Sequence, residues 1–192
     1  EQPVTPSPIV EKPTTAKPDP KPIAEQPKTQ PVEVAGPPSH DAWDKLLQQY
    51  VTADGKVNYA GLKNDKAKLE SYLKTLENNA PQDSWSRGEK MAFWINAYNA
   101  NTVKLIVDNY PVASITKLDG GKPWDVKRVK IGSKTYSLDN IENAILRPQF
   151  KDARIHFAVN CAAQSCPPLL NRAWTASNLE SNFEKQAKAF IN

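Results

Sequence analysis

The longest apolar stretch of the chain lies near its middle, at residues 88–110. Its centre, Phe93-Trp-Ile-Asn-Ala-Tyr-Asn-Ala100, is apolar on nearly every face of a helix, which is typical of a helix surrounded by other elements. Ser86 and Glu89 have the spacing of a capping box and predict that the helix begins there. Pro111 ends it, because proline cannot continue a helix. The pattern predicts a central helix around which the domain is built.

Two asparagines interrupt this apolar helix. Asn96 and Asn99 are three residues apart, so their side chains lie on one face. A buried amide without a hydrogen-bond partner costs roughly 1–3 kcal/mol, so both side chains need partners. We expect them to pin a neighbouring loop, and the alternative is that they line a site.

Amphipathic helices are predicted on both sides of the central helix. Apolar residues recur at helical spacing in residues 41–50, 62–76, 137–146 and 177–192. Ser177 to Glu180 has the spacing of a second capping box for the last of these helices. That helix reaches residue 192 without a stop signal, so we expect the domain to continue beyond it.

Two segments have the pattern of β-strands. Residues 126–136 predict a hairpin with Gly132-Ser133 as its two-residue turn. Residues 154–160 hold a short apolar run that stops before Pro167-Pro168, which is typical of an interior strand. A further short strand is expected at 56–59. The predicted fold class is therefore α+β, with helices around the central helix packed on a small, mostly antiparallel sheet that includes 126–136 and 154–160.

Composition separates residues 1–39 from the rest of the chain. They hold 11 of the 17 prolines and no Phe, Trp or Tyr, so they cannot form a core. Proline opposes helix and sheet and favours extended polyproline II. We predict a disordered Pro-rich linker over residues 1–39 and a single globular domain over 40–192. A linker of this length suggests a domain held away from a membrane surface or a neighbouring domain.

The charge of the chain is mild. Residues 1–39 carry a net charge of −1 and the remainder +5, which makes no case for nucleic acid. The basic residues of the predicted hairpin are expected to form a solvated face. No Gly-rich phosphate loop, Gly-x-Ser-x-Gly elbow or His-Glu-x-x-His sequence occurs, so nucleotide, serine-hydrolase and zinc-protease functions lack support. We expect no cofactor.

Both cysteines and one of the two histidines lie close together in sequence, which suggests a thiol enzyme. A cysteine nucleophile needs a base to form the thiolate and a polar group to orient that base. His156 is the candidate base and Cys166 the preferred nucleophile, with Cys161 as the alternative. Asn96 or Asn99 would be the orienting group.

The same residues allow two other interpretations. Cys161 and Cys166 would close a small disulfide loop if the domain is exported, which contributes roughly 2 kcal/mol at best. His156 would then be an ordinary hydrogen-bonded histidine. A metal site would use these three side chains, but the usual Cys-x2-Cys spacing is absent and His40 is a poor fourth ligand. We assign no metal site.

Six phrases occur in an order that resembles a known family. They are Phe93-Trp-Ile-Asn-Ala-Tyr-Asn99, Tyr110-Pro-Val, Pro123-Trp124, Ser137-Leu-Asp-Asn-Ile-Glu142, Arg154-Ile-His-Phe-Ala and Ser165-Cys-Pro-Pro-Leu169. With them, about residues 41–192 resemble the domain of unknown function family numbered 547, which has no agreed activity. The resemblance implies a bacterial protein that is exported or lipoprotein-like, and a domain that extends past residue 192.

A distant similarity to papain-like and transglutaminase-like enzymes also exists. Those enzymes place a catalytic Cys after a Trp at the start of a central helix, whereas Trp94-Ile-Asn96 has Asn there. We expect a binding or scaffold module that is periplasmic, anchored to the cell envelope or secreted, with Trp94, Tyr98, Asn99 and Trp124 around a pocket. The location follows from the linker and the family. The alternative is a thiol hydrolase or transferase acting on peptide or amide bonds.

Overall fold

Residues 36–163 and 166–191 are described by a computed structural model, and most of the predicted linker, residues 1–35, lies outside them. The helices are α1 (Asp41–Tyr50), α2 (Tyr59–Asn64), α3 (Lys66–Asn78), α4 (Arg87–Asn109), α5 (Arg147–Phe150) and α6 (Leu179–Ile191). The strands are β1 (Val129–Ile131) and β2 (Lys134–Tyr136), and a π-helix, Asn140–Leu146, leads directly into α5. Within the described ranges, no helix combines the length and apolar character required to cross a membrane.

The predicted central helix is confirmed as α4. The Ser86 side chain accepts a hydrogen bond from the Glu89 backbone N–H, and the Ser86 N–H donates to the Glu89 carboxylate over 2.7 Å, which completes the capping box. Every residue from 91 to 100 is buried. Helices α2 and α3 and the π-helix all pack against α4, so it occupies the centre of the core.

The predicted hairpin is also confirmed, and with it the α+β class. Strands β1 and β2 are antiparallel, with Ile131 opposite Lys134 and Gly132-Ser133 as the turn. Val129 and Ile131 are buried against the helices, because alternate residues of a strand point to the same side. The Gly132 N–H donates to the Glu77 carbonyl over 2.7 Å and fixes the turn to α3.

The predicted strand at residues 154–160 is wrong, because this segment forms a 3-10 helix, Ala153–Phe157. The Asp152 side chain accepts a hydrogen bond from the Arg154 N–H, and such a local bond favours a turn over an extended strand. The Ile155 and Ala158 N–H groups then bond to carbonyls three residues earlier. The sheet of the described residues therefore has two strands only.

Two smaller predictions are also corrected. The strand expected at residues 56–59 is reduced to a single bridge between Val51 and Val57. The capping box expected at 177–180 is displaced by two residues. The Asn178 side chain accepts from the Thr175 N–H over 2.8 Å, and the Asn178 N–H donates to the Thr175 hydroxyl.

A hydrogen bond between His40 and the buried Tyr72 fixes the start of α1. The Nδ1 atom of His40 lies 2.8 Å from the hydroxyl of Tyr72, which is 2% exposed and stacks on Trp43. A neutral imidazole can accept the hydroxyl hydrogen at Nδ1, whereas an imidazolium cannot. Burial lowers the pKa of His40 to about 4, against a smaller opposing effect of Asp41.

We expect the stability of the domain to fall as the pH drops below 6.5. The folded pKa of His40 is about 4, below its usual 6.5, so the unfolded chain binds a proton that the folded chain excludes. Between pH 7 and pH 4.5 this linkage costs about 2 kcal/mol. Urea unfolding across this range measures it. His40→Gln should flatten the dependence, because carboxylate titration is common to both proteins, and equal slopes would contradict the assignment.

Candidate functional site

The two cysteines of the chain are joined in a disulfide. Cys161 and Cys166 are bonded with their Cα atoms 5.9 Å apart, and no cysteine is free. Both residues are partly buried. The disulfide hypothesis is confirmed, and in this oxidised form neither sulfur can act as a thiolate nucleophile.

An asparagine side chain joins the two ends of the disulfide loop, whose described residues are 160–163, 166 and 167. The Asn160 amide nitrogen donates to the Pro167 carbonyl over 2.7 Å, and its amide oxygen accepts from the Ala162 N–H over 3.0 Å. Ala162 has a left-handed backbone, with φ at 58°, which is costly for a residue with a Cβ atom. The loop is thus held by the disulfide and by one amide that bridges its two ends.

The central helix binds the segments on either side of this loop through its two buried asparagines. Asn99 donates to the Ala158 carbonyl over 2.8 Å and accepts from the Asn160 N–H over 2.9 Å. Asn96 makes the same pair of bonds to the backbone of Trp174, at 2.7 and 3.0 Å. Each side chain is 2% exposed or less. The expectation that they pin neighbouring loops is confirmed.

A third buried amide side chain, that of Gln186, was not predicted from the sequence. Gln186 of α6 is 5% exposed and donates to the Pro168 carbonyl over 2.7 Å. A longer bond of 3.4 Å leads to the Phe157 carbonyl. The available signal was its position three residues after Phe183, on the apolar face of a helix, where a polar side chain needs a buried partner.

The residues of the predicted catalytic group each make a described contact in the structure. His156 lies on the exposed side of the 3-10 helix, with its ring 5.5 Å from that of Phe157. Asn96 and Asn99, the expected orienting groups, use their amides on the backbone. The catalytic roles of His156, Cys161, Cys166 and Asn96 stay predictions, and they would require a reduced protein.

The aromatic residues predicted around a pocket lie mostly in the core. Trp94 is 6% exposed and packs edge-on against Tyr136, and Tyr98 is 1% exposed. Burial, together with the Glu142 carboxylate, raises the pKa of the Tyr98 phenol far above its usual range. Trp124 is half-buried beside the cluster of Leu105, Ile106 and Ile115. Binding through these aromatic residues and Asn99 stays a prediction.

The described residues form no cluster of metal ligands. No three His, Cys, Asp or Glu side chains in residues 36–163 and 166–191 lie close enough together to hold a metal ion.

Reducing the disulfide should lower stability modestly without unfolding the domain. Closing a loop of this size contributes about 2 kcal/mol, and Asn160, Asn99 and Gln186 still hold the same segment after reduction. For a domain of this size the melting temperature should fall by about 4–8 °C. Thermal unfolding with and without reductant measures the change. The variant Cys161→Ser/Cys166→Ser should have the melting temperature of the reduced protein, and reductant should not change it. Global unfolding of the reduced protein or of the variant would contradict the role of these three amide side chains.

Comparison with known proteins identifies a family. Residues 82–191 match the family model described as "Protein of unknown function, DUF547". The match covers α4, the hairpin, the π-helix, the disulfide loop and α6, while α1 to α3 precede it. No curated protein and no solved structure matches significantly.

Proposed function

The chain belongs to the DUF547 family of proteins of unknown function, and we propose that it is a binding or scaffold module of the cell envelope carried on a Pro-rich linker. The module would act by presenting a rigid surface rather than by covalent chemistry. A thiol hydrolase or transferase is the alternative that this proposal must exclude.

The proposal rests on the disulfide between Cys161 and Cys166. A thiol enzyme needs a free thiolate, a neighbouring base and a group that orients the base. Here Cys161 and Cys166 are bonded to each other, and the amides of Asn96 and Asn99 bond to the backbone on either side of the loop. Every one of these groups has a structural partner that accounts for its presence.

The proposed location has two supports. Disulfides persist in oxidising compartments such as the periplasm and the cell exterior, and are rare in the cytosol. The Pro-rich composition of residues 1–39 suits an extended spacer between a domain and an anchoring surface. Together they favour a module that is periplasmic, anchored to the envelope or secreted.

Thiol trapping with mass spectrometry tests the proposal. Protein isolated from its native compartment under denaturing, non-reducing conditions should take up no alkylating reagent until reductant is added. The folded protein should be equally unreactive at pH 6, 7 and 8. A thiol that alkylates rapidly below pH 8, and slows in the His156→Ala variant, would replace the binding module with a cysteine–histidine enzyme.

A further inference from the structure

The positive charge of the domain is concentrated in one surface segment. Residues 117–134, here called the basic segment, contain six Lys and Arg and two Asp, a net charge of +4. Residues 40–192 as a whole carry +5. The rest of the domain is therefore close to neutral, and any long-range attraction for an anionic partner comes from this segment.

The lysines of the basic segment are exposed and unpaired. Among the described residues no hydrogen bond or ion pair involves the ammonium groups of Lys117, Lys122, Lys127, Lys130 and Lys134. All five are exposed. Elsewhere, ion pairs to carboxylates occupy Lys56, Lys66, Lys68, Lys74, Lys104 and Lys188. Unpaired cations on one segment remain available to an external anion.

The surface beside the hairpin suits an anionic group with an apolar neighbour. A shallow cavity of about 350 Å³ lies between the hairpin and the π-helix and has no acidic residue in its lining. It is lined by Lys127, Lys134, Thr135, Tyr136, Asn140, Ala144 and Ile145. A second cavity, between α3, α4 and the hairpin, is different, since its acidic residues Glu70, Glu77 and Asp108 pair with lysines of α3 and α4, although Lys130 also lines it. Val126, next to Lys127, is a large hydrophobic residue with 39% of its surface exposed.

We propose that the basic segment is the surface by which this module docks onto an anionic lipid bilayer, an inference that rests on the proposed function. Lysine head groups attract anionic lipid head groups, and an exposed apolar side chain among them contacts the boundary of the acyl chains. Single-stranded nucleic acid fits less well, because its binding uses exposed aromatic rings on which the bases stack. The nearest rings, Trp124 and Tyr136, are half-buried.

The expected strength suits a linker-borne domain. Each basic residue close to an anionic surface raises the partition coefficient by about fivefold. Five exposed lysines therefore give a weak and reversible attachment for the free domain. A linker anchored in the same membrane would raise the local concentration of the domain and convert this weak attraction into stable docking.

Vesicle sedimentation of the 192-residue chain tests the inference. We expect binding to phosphatidylcholine vesicles that contain one third phosphatidylglycerol, and none to pure phosphatidylcholine. Binding should be strong at about 0.05 M NaCl and lost at about 0.5 M, because salt screens exposed charges. Lys122→Gln/Lys127→Gln/Lys134→Gln should lower the partition coefficient by about a hundredfold. The matched control, Lys45→Gln/Lys151→Gln/Lys185→Gln, removes the same charge from exposed, unpaired lysines elsewhere and should change it by less than about threefold.

Three outcomes would overturn the inference. Equal losses in the two triple variants would show that net charge, and not this surface, drives binding. Absence of wild-type binding at low salt would show that the basic segment does not dock onto the bilayer. Binding to soluble polyglutamate that is tighter per charge than binding to the vesicles would make an acidic polypeptide the occupant instead. None of these results affects thiol trapping, so failure of the lipid surface and failure of the proposed function are distinguishable.

Discussion

Replacing Asn99 with alanine should destabilise the domain by about 3 kcal/mol. The change removes two hydrogen bonds at once and leaves the buried Ala158 carbonyl and the partly buried Asn160 N–H without these partners. It also removes the link between α4 and the base of the disulfide loop. Urea unfolding gives the stability change, and hydrogen exchange at the Asn160 amide should accelerate more than exchange in the hairpin.

Asn101 offers a matched control on the same helix. Its side chain donates to the Ala97 carbonyl one turn earlier and, within the described part of the chain, makes no bond outside α4. Asn101→Ala should therefore cost less than about 1 kcal/mol. Asn96→Ala should cost as much as Asn99→Ala but increase exchange at Trp174 instead of Asn160. Equal costs at Asn99 and Asn101 would mean that the buried amide does not hold the loop.

The parts of the fold with local sequence signals were predictable. The capping box at Ser86, the apolar run after it and the Gly132-Ser133 turn each depend on residues within one turn of each other, so spacing alone identifies α4 and the hairpin. The need of Asn96 and Asn99 for partners was also predictable, because burial of an amide demands them. Their partners were not, since Trp174 and Ala158 are remote in sequence.

The failure at residues 154–160 has a physical cause. A short apolar run is compatible with a strand or a helix, and only flanking residues decide between them. Here the deciding residue was Asp152, whose side chain caps the turn and pairs with Arg154, while Arg154 also reaches Glu180 of α6. That last contact joins residues 26 apart, and sequence spacing does not indicate it.

The candidate site was only partly predictable. The sequence placed the reactive groups in one segment, yet it left a disulfide, a thiol enzyme and a metal site open, because the choice depends on the positions of the side chains. Trp94 and Tyr98 were expected around a pocket, although the all-round apolar pattern that identified α4 already implied that its centre is buried.

Replacing Gly55 with alanine should cost about 3 kcal/mol, although Gly55 lies in a turn far from the disulfide loop in sequence. Its backbone is left-handed, with φ at 81°, which disfavours any side chain by roughly 1–2 kcal/mol. A Cβ atom there would also lie 2.3 Å from the Cβ atom of Pro168 and 3.0 Å from the Leu169 nitrogen. Relieving that overlap requires the segment after the loop to move, at a further cost of roughly 1–3 kcal/mol.

A comparison with Gly120 separates the cost of the left-handed backbone from the cost of the overlap with Pro168. It is also left-handed, with φ at 63°, but a Cβ atom there would meet nothing within 4 Å. Gly120→Ala should therefore cost only about 1 kcal/mol, and the excess at Gly55 measures the contact with Pro168. In a Pro168→Gly background the added methyl group loses its main obstacle, so the penalty of Gly55→Ala should fall towards that of Gly120→Ala. An unchanged penalty would place the strain in the backbone of the turn, and the loop segment would then not depend on this contact.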